Sequence, residues 1–385
     1  MHPEMTPYRV SIVRGGTSKG IFIKENELPK DSQARERVIR GIFGTPDTRE
    51  IDGLGGADVL TSKLAIIGPS SREDADVDYT FAQVSFDTEL VDYGGNCGNI
   101  SAGVGPYAID EGLVPPVEPV TRVRIHQVNT DCVLVADVPV TDGKARVMGT
   151  CRIDGVPGLG AKIMLDFSDT AGSTTGKVLP SGSPKDLIYA EGYGSFEVSI
   201  VDAGNVVVFI EAASLGLKGT ETCAEIEADK ALTAKMEAIR AACAVKIGMA
   251  VSIQEATEKS AYVPFFAIVS KPADYTASID GHMIKAEDVD LVGRLSFMLH
   301  MHKTYPGTGT VCTGAAARIP GTLVYQLLSP EARERKILRI GHPGGVIQVD
   351  AQSADSQGTA FKRLAYERTA RKILDGICYV RNDRL

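Results

Sequence analysis

Tryptophan is absent from the 385 residues and aromatic side chains make up only 6%, while glycine occurs forty times. That balance fits a turn-rich α/β or α+β fold. No apolar stretch reaches about 18 residues, the rough minimum for a membrane span, and no leading segment joins basic residues to a long apolar run. A cytoplasmic protein without a membrane partner is the expectation. No basic run offsets the net charge of −8, which excludes a general nucleic-acid binder. The seven cysteines (97, 132, 151, 223, 243, 312 and 378) are scattered, odd in number and never in CxxC spacing, so neither a disulfide frame nor a zinc site is expected.

Several motifs are missing as well. Gly15 and Gly20 have the outer spacing of a P-loop, but Ile and Phe follow. Gly307-x-Gly309 runs on to Cys312 instead of a third dinucleotide-binding glycine. There is no GxSxG elbow and no HExxH. His300-x-His302 lacks a suitably spaced third ligand, so no metal is expected. Nucleotide use is unsupported.

What is present is a two-part chain, since 385 residues exceed one ordinary core. Strands are expected at 8–13, 20–24, 63–68, 78–86, 121–127, 131–138, 145–149, 206–211, 250–254 and 264–269. Helices are expected near 31–43, over 223–248 and over 312–328. The segments "YGGNCGNISAGVGPYAIDEGL" (93–113) and "YPGTGTVCTGAAARIPGTLVY" (305–325) share one outline: a glycine turn leading into a small-residue helix. They lie half a chain apart and read as an internal duplication. The expected domains are 1–185 and 186–385, joined near 180–195 ("LPSGSPKD" and its surroundings). The extreme C-terminus is expected to pack back on the first domain.

Three stretches join glycine-rich backbone to reactive side chains: "RGGTSKG" (14–20), "GLGGADVLTSKLAII" (53–67) and "GGNCGN" (94–99). A helix N-terminus favours the thiolate of a free cysteine, and its open N–H groups hold anions. Cys97 is placed for both effects, among Gly95, Asn96, Gly98 and Asn99. Lys63 enters an apolar strand, where burial lowers a lysine pKa towards that of a base; snorkelling at a strand end is the alternative. Ser18 and Thr17 are turn formers that become donors beside an anionic ligand. In the second turn, Gly307, Thr308, Gly309 and Thr310 supply the matching backbone N–H groups.

With these motifs in view, the chain resembles the family that includes 2-methylaconitate isomerase, 4-oxalomesaconate tautomerase and 3-methylitaconate Δ-isomerase. The resemblance is carried by "RGGTSKG", "DGLGGADVLTSKLAI", "VDYGGNCGNISAGVGPYAIDEG", "MHKTYPGTGTVCTGAAARIPGT" and "GHPGG" (341–345). It implies an α+β, diaminopimelate-epimerase-like fold: two similar domains, each a curved sheet around a central helix, with the active site in the cleft. Cofactor-free epimerases of this fold place a cysteine at each helix mouth. Here Cys97 holds the first place and Pro306 the second, and Cys312 lies too far along to take over. A symmetrical two-thiol racemisation is therefore not expected. The resemblance implies Lys63 as partner of Cys97 and Ser18 as a substrate contact.

The implied reaction is a cofactor-free allylic 1,3-proton shift in a small unsaturated di- or tricarboxylate, best matched by 3-methylitaconate to 2,3-dimethylmaleate, with 2-methylaconitate cis–trans isomerisation and 4-oxalomesaconate tautomerisation as the alternatives. A homo-oligomer is expected. Two readings from other classes compete. One is a pyridoxal-phosphate enzyme with Lys63 as aldimine lysine and 307–310 as phosphate loop. The other is a non-enzymatic carboxylate-binding accessory protein.

Overall fold

The computed structural model describes residues 2–385, and the chain divides into two compact units. The first is Met1–Leu165 with Arg368–Leu385; the second is Asp166–Glu367. The division thus falls at Leu165, ahead of the proline- and glycine-rich 180–195 stretch, and the last eighteen residues belong to the first unit. They do so through a long antiparallel ladder with the N-terminal strand, from Met5↔Arg381 to Gly15↔Ala370. Among the described residues no helix is long and apolar enough to cross a membrane.

In the first unit, β1 (Met5–Gly15) and β2 (Ser18–Lys24) form a hairpin. Helix α1 (Ser32–Phe43) follows, then β3 (Lys63–Pro69), β4 (Val77–Val84) and β5 (Val91–Asp92). Helix α2 (Gly98–Asp110) leads to β6 (Val120–Gln127), β7 (Cys132–Thr141), β8 (Lys144–Ala145) and β9 (Ile163–Asp166). The strand expected at 145–149 is only the two-residue β8. The sheet separates two layers. Leu64 and Ile66 of β3 pack with Ile21 and Ile23 against Val38, Ile39, Ile42 and Phe43 of α1. Strand alternation then turns Lys63 and Ala65 to the opposite face, where α2 runs.

Helix α2 is buried almost throughout, and its small residues are the reason it fits. A Cβ on Gly103 would lie 2.8 Å from the Phe22 ring, and one on Gly105 2.8 Å from Val138. Glycine costs about 1 kcal/mol in a helix interior; here closeness to the sheet outweighs that.

The second unit contains β10 (Asp186–Ala190), β11 (Gly194–Ala203) and β12 (Asn205–Glu211). Helices α3 (Cys223–Ala228), α4 (Lys230–Lys246) and α5 (Ile253–Lys259) come next. Strands β13 (Phe265–Ser270), β14 (Tyr275–Thr276), β15 (Met283–Ile284), β16 (Leu291–Phe297) and β17 (His300–Met301) precede α6 (Gly307–Ala316). Helices α7 (Leu323–Leu327) and α8 (Pro330–Glu334) then lead to β18 (Ile337–His342), β19 (Gly345–Ser353) and β20 (Phe361–Arg368). The chain returns to the first unit as β21 (Ala370–Arg381).

Three expectations are corrected here. The helix expected over 223–248 is two helices, broken at Asp229, whose side chain instead caps α4 at Leu232 N. The strand expected at 250–254 gives way to α5, because Ser252 caps Glu255 N. The helix expected over 312–328 starts at Gly307 and stops at Ala316, so the "turn" 307–310 is its first turn.

The strand pairings of the first unit recur in the second. β1/β2 antiparallel, β2/β3 parallel, β3/β4 antiparallel and β4/β6 parallel match β11/β12, β12/β13, β13/β16 and β16/β18 in the same senses. α2 and α6 occupy the same place in each series.

Candidate active site

Eight α-helices are present among the described residues, and six start with an Asp, Ser or Thr side chain accepting from the first turn. The two exceptions are α2 and α6, whose N-caps are Cys97 and Pro306 with no side-chain cap. First-turn N–H groups have no acceptor within their own helix. An uncapped, buried first turn is therefore a place for an external anion, helped by the helix dipole.

The two mouths share further detail. Ser101 Oγ donates to Cys97 O at 2.9 Å, and Thr310 Oγ1 to Pro306 O at 2.9 Å. Each second helical residue is clamped to a hairpin tip. Asn99 Nδ2 donates to Thr17 Oγ1 at 3.1 Å, while Asn205 Nδ2 donates to Thr308 Oγ1 at 2.9 Å. Each tip turns on a glycine with positive φ, Gly16 at 49° and Gly204 at 75°.

The reactive side chains singled out from the sequence lie at the first mouth. Lys63 is 2% exposed, and its Nζ donates to Gln83 Oε1 at 2.7 Å and lies 5.5 Å from the Phe81 ring centre. Burial pushes its ammonium below the ordinary lysine range; the charge of Cys97, a hydrogen bond to that thiol, and the charge of Asp58 oppose the shift. Lys63 and Cys97 thus stand in direct contact at the N-cap of α2. Ser18 Oγ is buried and has no hydrogen-bond partner, a costly state for a hydroxyl unless a ligand uses it.

The other residues singled out from the sequence divide into two groups. Gly95 and Gly98 are buried on either side of Asn96 and Cys97, which gives the N-cap its extended backbone. Asn96 accepts from Ser101 Oγ at 3.1 Å, and Asn99 takes Arg368 Nε at 2.9 Å through its Oδ1. Both amides therefore hold the helix start in shape. Thr17 and Thr308 are the clamped hydroxyls, and Thr310 spends its hydroxyl on its own helix. Gly307 opens α6, and a Cβ on Gly309 would meet Leu295 at 2.7 Å, so Gly309 is a packing glycine within its own unit. Cys312 lies inside α6 and donates to Val201 O at 3.2 Å. Burial, then the charge of Asp202, holds its thiol far above the usual range.

Sequence reasoning missed Gln83, Asp58 and Arg368. Gln83 did carry a signal: it is the one amide in the otherwise apolar run "FAQV", and all four residues are buried. Arg368 carried none, since it meets Asn99 from 269 residues away.

The PrpF protein family matches this chain over residues 5–381. The chain is 55% identical to 3-methylitaconate isomerase of Eubacterium barkeri over 374 residues, 97% of each chain. It is 38% identical to 2-methyl-aconitate isomerase of Shewanella oneidensis, covering 99% of this chain and 98% of the relative. A crystal structure of methylitaconate-delta-isomerase superposes with a TM-score of 0.80 at 54% identity, covering 99% and 97% of the two chains. A hydroxyproline epimerase from Agrobacterium vitis shares the fold alone, with a TM-score of 0.57 at 13% identity over 98% and 93%. The α+β, epimerase-type fold expected from the sequence is the one observed. Matched over nearly its whole length, and sharing more than half its residues with an isomerase of the same extent, the chain belongs to the PrpF family.

Proposed function

We propose that this protein moves the double bond between 3-methylitaconate and 2,3-dimethylmaleate, with Lys63 and Cys97 as the acid/base pair. The observation that carries the reading is the contact between a buried lysine and the N-cap thiol of an uncapped helix. The 55% identity to 3-methylitaconate isomerase supports the choice of substrate.

The C–H bond that breaks is allylic and α to a carboxylate. Its electron pair passes into the adjacent carboxylate and double bond, giving a dienolate. A proton returned to the terminal methylene turns it into a methyl group, and the double bond ends between the two substituted carbons. One member of the Lys63–Cys97 pair takes the proton and the pair returns it. Burial lowers the Lys63 pKa from the ordinary lysine range, which brings the amine closer to the range in which a group both takes and returns a proton. The charge that grows on the carboxylate is stabilised by the α2 first-turn N–H groups and by Ser18 Oγ, which has no other partner. Within the second unit, the first turn of α6 is uncapped in the same way.

The test is proton NMR of the purified protein with 3-methylitaconate in D₂O. Loss of the vinyl signals and deuterium in one new methyl group are expected. If 3-methylitaconate is inert while 2-methylaconitate exchanges, the tricarboxylate reading that the Shewanella relative supports replaces this one. If no unsaturated carboxylate exchanges, the protein is a binder and not an isomerase.

A further inference from the structure

Two ladder positions of the sheet decide what faces the mouth of α2. In the first unit Lys63 pairs with Gly20 on one side and with Gln83 on the other. In the second unit Val207 pairs with Phe265, and the register Phe266↔Ser296 sets Phe265 beside Phe297, their rings 5.3 Å apart. The same architecture therefore accepts two aromatic rings where the first unit carries lysine and glutamine. The fold by itself needs no glutamine at 83.

We propose that Gln83 is a positioning residue of the acid/base pair: its side-chain carbonyl, aimed by the 59–62 backbone, holds Lys63 Nζ against Cys97. The inference rests on the reading of Lys63 given above. Gln83 is 1% exposed, and its Nε2 donates to Ser62 O at 2.9 Å and to Val59 O at 3.4 Å. With both amide hydrogens committed to carbonyls, only Oε1 is left for Nζ, so the amide cannot turn over without setting oxygen against oxygen. The acceptor is also neutral. A carboxylate in its place would counter the effect of burial and keep the ammonium charged.

The carbonyls that aim Gln83 are themselves anchored. Ser62 Oγ donates to Glu50 Oε2 at 2.5 Å, and Ala57 N donates to the same oxygen at 2.6 Å. Glu50 is 2% exposed and lies at a φ of 45°, and burial raises its carboxyl against the hydrogen bonds of Ser62, Ala57 and Gly56. A Cβ on Gly55 would lie 2.1 Å from the Glu50 carboxyl carbon, so the loop closes directly over that group. The glycines of "GLGGADVLTSK" thus wrap a buried carboxylate. A connected path runs Glu50, Ser62, Gln83, Lys63, Cys97. The titratable groups facing Lys63 are Cys97 and Asp58, and the Phe81 ring closes another side.

The experiment compares Gln83→Met, Gln83→Glu and Lys63→Met by kcat, KM and the pH profile of kcat, with melting curves to show that each is folded. In Gln83→Met, kcat should fall about tenfold to a hundredfold with KM within about threefold, as expected when a reacting group is misplaced by an ångström or less. Loss of the acceptor disfavours the charged lysine, so the limb of the profile governed by Lys63 should move to lower pH. Gln83→Glu restores an acceptor and adds charge, so it should keep more kcat than Gln83→Met and move that limb to higher pH. These opposite shifts hold whether Lys63 takes or gives the first proton, and a packing role would produce neither. If Lys63→Met is inactive while Gln83→Met keeps kcat within threefold and leaves the limb in place, Gln83 is packing only. If Lys63→Met stays active, the acid/base reading and this inference fall together.

Discussion

Helices α2 and α6 start alike and differ in what surrounds the start. Both are uncapped, and both have a second residue clamped to a hairpin tip and a fourth residue bonded back to the N-cap carbonyl. Around α2 stand Cys97, Lys63, Gln83 and a partnerless Ser18 hydroxyl. Around α6 the N-cap is Pro306, and the places of Lys63 and Gln83 are taken by Phe265 and Phe297, with Tyr262 packed edge-on against both rings. On the proposed reading, one frame serves proton transfer in the first unit and not in the second. Both copies keep the uncapped first turn; only one sets a buried lysine beside an N-cap thiol. The difference teaches that the uncapped first turn belongs to the repeated architecture, while the acid/base pair proposed above depends on a few ladder positions within it.

The strongest way to break that comparison is to make the first mouth resemble the second. Lys63→Met should lower kcat by about 10²–10⁴-fold, the usual worth of a general acid or base. It should also raise the melting temperature. The folded protein holds Lys63 below its ordinary value of 10.5 because burial penalises the ammonium. Below the folded value the lysine is charged in both states and the penalty is fully present. As pH rises from the folded value to the unfolded one, the unfolded chain binds more protons and the penalty fades. The stability gained by Lys63→Met should therefore be largest at low pH and shrink as pH rises towards the lysine value. A mutant that is inactive and less stable at every pH would show that Lys63 holds the fold together and is not strained by it.

The clamps give a second contrast, read in stability. Asn99 bonds Thr17 and the Arg368 guanidinium, and in the matching clamp Asn205 bonds the Thr308 hydroxyl. Asn99→Ala should cost about 2–4 kcal/mol, more than Asn205→Ala, because one of the bonds it loses is to a charged group. Equal losses in urea titrations would mean that the two clamps are interchangeable and that Arg368 adds nothing.

Ser18→Ala should reduce kcat/KM by an amount equivalent to about 1.5–3 kcal/mol, one hydrogen bond to a charged group. Since Ser18 Oγ has no partner in the protein, the same change should leave the melting temperature level or higher. A drop in stability without a drop in turnover would remove Ser18 from the site.

How much of this was legible in the sequence follows from the range of the interactions. The α2 mouth was legible because its signal is local: glycine and asparagine before an N-cap, then a small-residue helix. The α6 mouth was recognised, but its start was placed five residues late. Gly-Thr-Gly-Thr has poor helix propensity, and burial of the whole segment makes it helical. The break at Asp229 was hidden because periodicity continues across it, although an aspartate before "KAL" is a good N-cap. Lys63 was legible as a lysine entering a buried strand. Its acceptor was not, because Gln83 lies twenty residues on and meets it only when β3 and β4 pair. Arg368 reaches Asn99 only after the chain has completed the second unit and returned.

The smallest expected effect concerns the thiol of α6. Cys312 lies six residues beyond Pro306, faces Val201 O, and is held neutral by burial and by Asp202. Burial and the charge of Asp202 outweigh the backbone hydrogen bonds from Ala203 and Val207 that favour a thiolate, so it should neither exchange protons nor react with iodoacetamide near neutral pH. Cys312→Ala removes one sulfur from a packed helix and a weak hydrogen bond. It should cost about 1 kcal/mol in stability, in the ordinary range for a single substitution, and leave kcat within a few-fold. Cys97→Ser, by contrast, replaces the thiol at the N-cap with a hydroxyl too weakly acidic for its role, and should lose most turnover while staying folded. If Cys312→Ala is as inactive as Cys97→Ser, each unit contributes a working thiol. The aromatic pair at 265 and 297 would then not mark the second mouth as silent, and the contrast between the two helices would have to be given up.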